Sequence, residues 1–160
     1  MKKQKLLLIV LLVLGVSVIN LPASWADIKP EDKIKFRQSG YTFMRWNMGI
    51  IKKNVIKKPE SYNKSQVLAA AKVIATISAS GIETLFSANT HSGKGWKPTR
   101  AKPELFSNPE TLKRHADKFK REANRLVDVS ESGDVGLIKV QFNTLLDSCK
   151  ACHKDFRTKI

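Results

Sequence analysis

The sequence predicts an all-α protein, an antiparallel four-helix bundle with one long crossover between the second and third helices. Three observations carry the prediction. Four segments place apolar residues at steps of three and four, the period of a helix with one buried face. No segment alternates apolar and polar residues convincingly enough for a strand. Short turns join the helical segments except at Ile82 to Ser107, where Gly93, Gly95, Pro98 and Pro103 exclude a continuous helix. Helices of this length are marginal alone in water, so mutual packing must stabilise them.

The first segment runs from about Pro30 to Asn54. Pro30 suits the first helical position, and Glu31 and Asp32 suit the positive helix end. Its stripe is Ile34, Arg37, Tyr41, Met44, Met48, Ile51 and Val55. The second runs from about Asn63 to Ser80, with Val67, Ala71, Ile74 and Ser78 on one face and Gly81 as its stop. The third opens at Asn108-Pro109, read as cap and first position, and carries Leu112, Phe119, Ala123 and Leu126 before Ser132-Gly133 ends it. The fourth begins near Asp134 and steps through Ile138, Phe142, Leu145, Cys149, Cys152 and Phe156. The crossover exceeds the usual length of structureless loops, which implies that it covers something.

Residues 1–26 read as a secretory signal peptide rather than as part of the fold. Lys2, Lys3 and Lys5 precede an apolar run from Leu6 to Ile19, and Ser24-Trp25-Ala26 is a small-x-small cleavage site. The run is short for a spanning helix, which needs about 20 apolar residues. Cleavage after Ala26 leaves residues 27–160 as a single exported domain. The 160-residue chain has 29 Lys+Arg against 14 Asp+Glu, a formal net charge of +15, which falls to +12 without the leader lysines. Export and the lack of basic stretches interleaved with aromatics argue against nucleic acid as partner. The charge reads as a solvated surface and as steering toward an acidic partner.

The chemistry lies in the fourth helix. Cys149-Lys150-Ala151-Cys152-His153 is C-x-x-C-H, the attachment signal for one covalent haem c. On a helix the two thiols and the imidazole share a face. Both thiols then reach the vinyl groups of one porphyrin, and His153 reaches the iron. A thioredoxin-like pair normally sits at a strand-to-helix start, and a zinc site needs a fourth ligand for which neither His91 nor His115 has a recognisable spacing.

Arg37 interrupts an apolar stripe, and a buried charge requires a partner. A haem propionate supplies one, with Gln38 bonding the same group; the alternative is a side chain snorkelling to water. Tyr41, Met44 and Met48 lie beyond it on that stripe, within reach of a sixth iron position if this helix covers the haem face opposite His153, although most such residues are core. A Met ligand gives low-spin iron with a raised potential. Gly40, in mid-helix, implies a close approach by haem or by another helix. Arg157 follows His153 by one turn, over the proximal haem face or simply as a cation at a helix C-terminus. No distal His or acid is identifiable, so an enzyme with acid–base catalysis is not expected.

An exported four-helix pattern ending in C-x-x-C-H resembles the cytochrome c′ family. Lys29-Pro30-Glu31-Asp32, Lys35-Phe36-Arg37-Gln38-Ser39, Met44, Asn47-Met48-Gly49 and Ser148 through Arg157 carry the likeness. The resemblance implies a periplasmic monohaem protein, often a homodimer, that carries electrons or binds NO and CO while excluding O₂. It implies thioether links at Cys149 and Cys152, iron ligation by His153, a proximal Arg157 and propionate contacts from Arg37 and Gln38. It places the distal residue at Tyr41, where low-spin relatives have Met; Tyr here implies high-spin, five-coordinate iron. The Tyr41 hydroxyl is a donor, which bears on O₂ exclusion if it points at the iron.

Overall fold

A computed structural model describes residues 28–159; the signal-peptide reading, with cleavage after Ala26, lies outside them. The bundle consists of α1 (Pro30–Lys52), α2 (Lys64–Ser78), a one-turn α3 (Glu104–Ser107) in the crossover, α4 (Pro109–Ser132) and α5 (Val135–Phe156). No strand occurs among the described residues, only isolated bridges. None of their helices is long and apolar enough to cross a membrane.

Most helix ends follow from local chemistry. Pro30 and Pro109 occupy first turns. Asn63 caps α2 by accepting from the Gln66 amide, and Asp134 caps α5 by accepting from the Leu137 amide, each at 3.0 Å. Gly133 ends α4 at φ 80°, a left-handed conformation that glycine adopts without strain. Two details differ from expectation. The first helix passes beyond Lys52 into a π-helical turn, Lys53–Lys57. Asn108 makes no side-chain cap, because Glu104–Ser107 is itself helical and the Asn108 amide donates back to the Glu104 carbonyl at 3.1 Å.

Ile51, Val67, Ile74, Leu126, Ile138 and Leu145 are essentially inaccessible and form the centre of the core. Burial of such side chains stabilises by roughly 1.5–3 kcal/mol each. Met44, 4 % exposed, belongs to this cluster, and Met48 packs against it. Neighbouring helices pair as α1 with α2, α2 with α4 and α4 with α5. The fourth side is different. The π turn following α1 meets α5, whereas α1 itself touches α5 little. At the α5 C-terminus the crossover packs against the helix end.

The crossover contains the 3₁₀ turns Ile82–Leu85 and Ala88–Thr90 as well as α3, and it is fastened along α1. Gln38 bonds both sides of Lys97, donating to its carbonyl (2.8 Å) and accepting from its amide (3.2 Å). The Trp96 indole donates to Ser39 Oγ at 2.8 Å. A Cβ on Gly95 would stand 2.7 Å from the Lys35 backbone nitrogen, so only glycine lets the loop lie this close. Gly40 is approached by the Ile82 side chain of the crossover, 2.6 Å from the position of a Cβ, and by Ile77 of α2 at 3.6 Å.

Candidate functional site

The fourth-helix motif sits on the last two turns of α5. Cys149 and Cys152 are half-buried and not joined in a disulfide. Burial raises the Cys149 thiol and pushes Cys152 up to about 11, with Cys149 and Asp155 adding to the second shift. Both are therefore protonated at neutral pH. A disulfide-exchange pair needs a depressed thiol, so the redox alternative loses support. Partial burial, then Arg157 and Arg100, lower the His153 imidazole and favour its neutral form, which can donate a lone pair, although the residue is exposed at the helix surface.

Tyr41 projects from α1 toward this face. Burial is the first cause that raises its phenol, followed by Cys152, Glu83 and Cys149, with Arg37 opposing. Yet 41 % of its surface is accessible. Both facts hold for a ring that lines a recess, surrounded by protein but open on one side. Its ring centroid is 6.3 Å from that of Phe86, over which the Arg37 guanidinium stacks at 4.6 Å. Tyr41 is thus not a core residue, although it continues the core stripe of α1. Met44 has the opposite placement.

Arg37 is 4 % exposed, which excludes the snorkelling alternative. Its Nη1 donates to Thr90 Oγ1 (2.6 Å) and the Leu85 carbonyl (3.2 Å); its Nη2 donates to the Thr90 carbonyl and Thr99 Oγ1 (2.6 Å each). All four acceptors belong to the crossover and none is charged. Burial accordingly lowers the guanidinium to about 10, with Tyr41 partly opposing the shift, still fully charged at neutral pH. Arg37 and Gln38 together hold the crossover onto the helix that carries Tyr41.

On the other side, the crossover reaches the end of α5. Ala101 and Arg157 form an antiparallel bridge, and Arg100 Nη2 donates to the Thr158 carbonyl. Arg100 Nε is buried without a hydrogen-bond partner among the described residues. Burial, Arg100 and Arg45 lower the Arg157 guanidinium, so both arginines lie near Arg157, and Arg157 and Arg100 lie near His153. Sequence reading missed Arg45, Arg100, Thr90, Thr99 and Phe86. Their relation to α5 or to Arg37 depends on long-range placement that no local pattern encodes. Of the other histidines, His91 is exposed with Nδ1 on the Ala88 carbonyl, and His115 pairs with Asp155 at 2.9 Å. Neither completes a cluster with the cysteines, and no group of three metal-ligating side chains occurs among the described residues.

The donor set fits a haem c: two unbridged protonated thiols and a neutral imidazole on one helix face, an aromatic residue opposite, and a cationic rim that includes an unpartnered buried N–H. When bound, the haem supplies an iron centre for one-electron transfer and for diatomic ligands.

Comparison with known proteins agrees. The family model described as Cytochrome C' matches residues 32–157. The chain is 46 % identical to a cytochrome c' of Rhodocyclus tenuis over 131 residues, 82 % of this chain and 97 % of that protein. It is 40 % identical to one of Allochromatium vinosum over 147 residues, 91 % and 94 % of the two chains. Among solved structures, the cytochrome c' from Thermochromatium tepidum superposes with a TM-score of 0.77 at 41 % identity, covering 83 % of this chain and 99 % of that one. A cytochrome c' described by its ligand-controlled dimer dissociation gives 0.77 at 42 % identity, covering 82 % and 98 %. A nitric oxide complex of a variant of the Alcaligenes xylosoxidans protein gives 0.71 at 30 %, covering 82 % and 98 %.

Proposed function

We propose, for a chain that belongs to the cytochrome c′ family of haem proteins, that it is an exported periplasmic monohaem cytochrome with high-spin, five-coordinate iron, which transfers electrons or binds NO and CO. Cys149 and Cys152 carry the haem as thioethers and His153 is the only protein ligand to iron. One observation supports this reading above the others: Tyr41, not a methionine, lines the recess near the two cysteines, while Met44 is withdrawn into the core. Arg37 and Gln38, whose side chains are bonded to the crossover, contact one propionate by exchanging some of those bonds when haem is bound, and Arg157 lies on the proximal side. The protein is not an enzyme in this reading: its task is electron transfer or ligand binding at the iron. The neighbours' NO and dimer-dissociation behaviour supports the ligand and assembly proposals by analogy.

The test of attachment is mass spectrometry of the protein recovered from the periplasm. The wild-type chain, lacking residues 1–26, should carry one haem that survives denaturation and acid extraction. Cys149→Ser with Cys152→Ser should release it. A wild-type chain without retained haem contradicts the proposal.

The assembly is a homodimer in this reading. α1 has a second apolar face opposite its core stripe: Phe36 and Trp46 are 52 % and 60 % exposed, and Phe43 stacks on Trp46 at 5.6 Å. Exposed aromatic clusters of this kind mark interaction sites. Sedimentation should give a dimer that Trp46→Glu converts to a monomer; a monomeric wild type contradicts it. The redox partner is an acidic protein, attracted by the uncompensated Arg45, Arg100 and Arg157.

A further inference from the structure

The last four carbonyls of a helix have no partner within it. In α5 these belong to His153, Lys154, Asp155 and Phe156. The His153 carbonyl accepts from the Arg157 amide at 3.1 Å. The other three are all satisfied by one residue of the crossover. Lys102 Nζ donates to the carbonyls of Lys154 (3.1 Å) and Asp155 (2.9 Å), and its backbone amide donates to that of Phe156 (3.0 Å). No glycine cap follows; Arg157 is extended at φ −127°. The Lys102 ammonium also places positive charge at the negative end of the helix, where it is stabilising. Next to it, the Thr158 amide donates to the Arg100 carbonyl at 2.9 Å, and Ala101 bridges Arg157. Thr99, one residue earlier, is the acceptor for Arg37 from the opposite side.

We propose that Lys102 is a positioning residue for His153: it fixes the final turn of α5, and the segment Thr99–Lys102 ties that turn to the helix bearing Tyr41. The inference rests on the haem reading given above. Lys102 touches neither thiols nor imidazole and acts only through the helix end. Loss of its two side-chain bonds frees the Lys154 and Asp155 carbonyls that follow His153, and the turn carrying the imidazole then samples more than one orientation.

The test uses the haem-loaded protein with Lys102→Met, which removes the charge and both side-chain bonds, and Lys102→Arg, which restores charge and donors. Two readouts are taken: hydrogen exchange at the Arg157 and Thr158 amides, and the iron–histidine stretching band of the reduced protein. Lys102→Met should accelerate exchange at both amides at least tenfold and shift or broaden the band, and Lys102→Arg should return both toward wild type. A fall in melting temperature with an unchanged band would show a merely structural role and overturn the proposal. So would unchanged exchange. Failure of the wild-type chain to hold haem is a separate outcome that overturns the functional reading instead. Should Lys102→Met not accumulate, Lys102→Gln, which keeps one donor, should give the same changes at smaller amplitude, and a wild-type band in that variant overturns the proposal.

Discussion

In the interior of the bundle Ile51, Ile74, Leu126, Ile138 and Leu145 close on one another without directional bonds. At the crossover end, α1 and α5 are joined instead by hydrogen bonds from Arg37, Gln38, Arg100 and Lys102 to partners about 50 to 60 residues away in sequence. Hydrocarbon packing is tolerant of orientation and fixes stability. Bonds with set geometry around a rim fix orientation, which is what a planar group between two helices requires. The two regions should therefore respond differently to substitution.

The largest expected effect is in the interior. Leu126→Ala should cost about 2–5 kcal/mol in urea unfolding, while the absorption spectrum of the folded protein stays that of wild type. A spectral change would mean that the two regions are not separable. Next comes Arg37→Leu. It leaves Thr90 and Thr99 oxygens without their charged donor, and a hydrogen bond to a charged group contributes about 1.5–3 kcal/mol. Loss of about 2–3 kcal/mol is expected, with hydrogen exchange rising over the crossover before the bundle. Uniform loss of protection would contradict a local clasp.

Legibility in the sequence follows the same division. The core stripes of α1, α2, α4 and α5 were readable because helical periodicity records which face is buried. The motif Cys149–His153 was readable because its ligands are local. Tyr41 continues the α1 stripe, and periodicity alone cannot tell a packed position from one lining a recess; only the family resemblance assigned it to the distal position. The partners of Arg37 were beyond reach for another reason. Burial demanded an acceptor, but neutral carbonyl and hydroxyl oxygens of a loop leave no pattern. The crossover was recognised as a cover, yet its turns and its bonds to the α5 end arise from contacts distant in sequence.

A smaller effect tests the site side directly. Tyr41→Ala should open the recess and speed CO association about tenfold, equivalent to about 1.4 kcal/mol of barrier, with little change in unfolding. An unchanged rate in stopped flow would remove Tyr41 from the distal position. The smallest effect concerns Glu122, a buried carboxylate on α4. Its pKa is lowered first by the Gln141 hydrogen bond at 2.9 Å, and also by Arg125. A depressed folded pKa contributes stability above the ordinary glutamate range, which is lost as pH falls through the folded value. Glu122→Gln should thus be less stable than wild type by about 1 kcal/mol or less at pH 7, and the gap should close as acidification passes below the ordinary glutamate range. A gap independent of pH would mean that the carboxylate charge contributes nothing.

The most direct test is the visible absorption spectrum of the reduced protein before and after addition of CO. A covalent haem facing Tyr41 predicts a high-spin spectrum that shifts on CO binding. A low-spin spectrum indifferent to CO would place a methionine on the iron, and a spectrum without haem bands would contradict the account from Cys149 to His153 altogether.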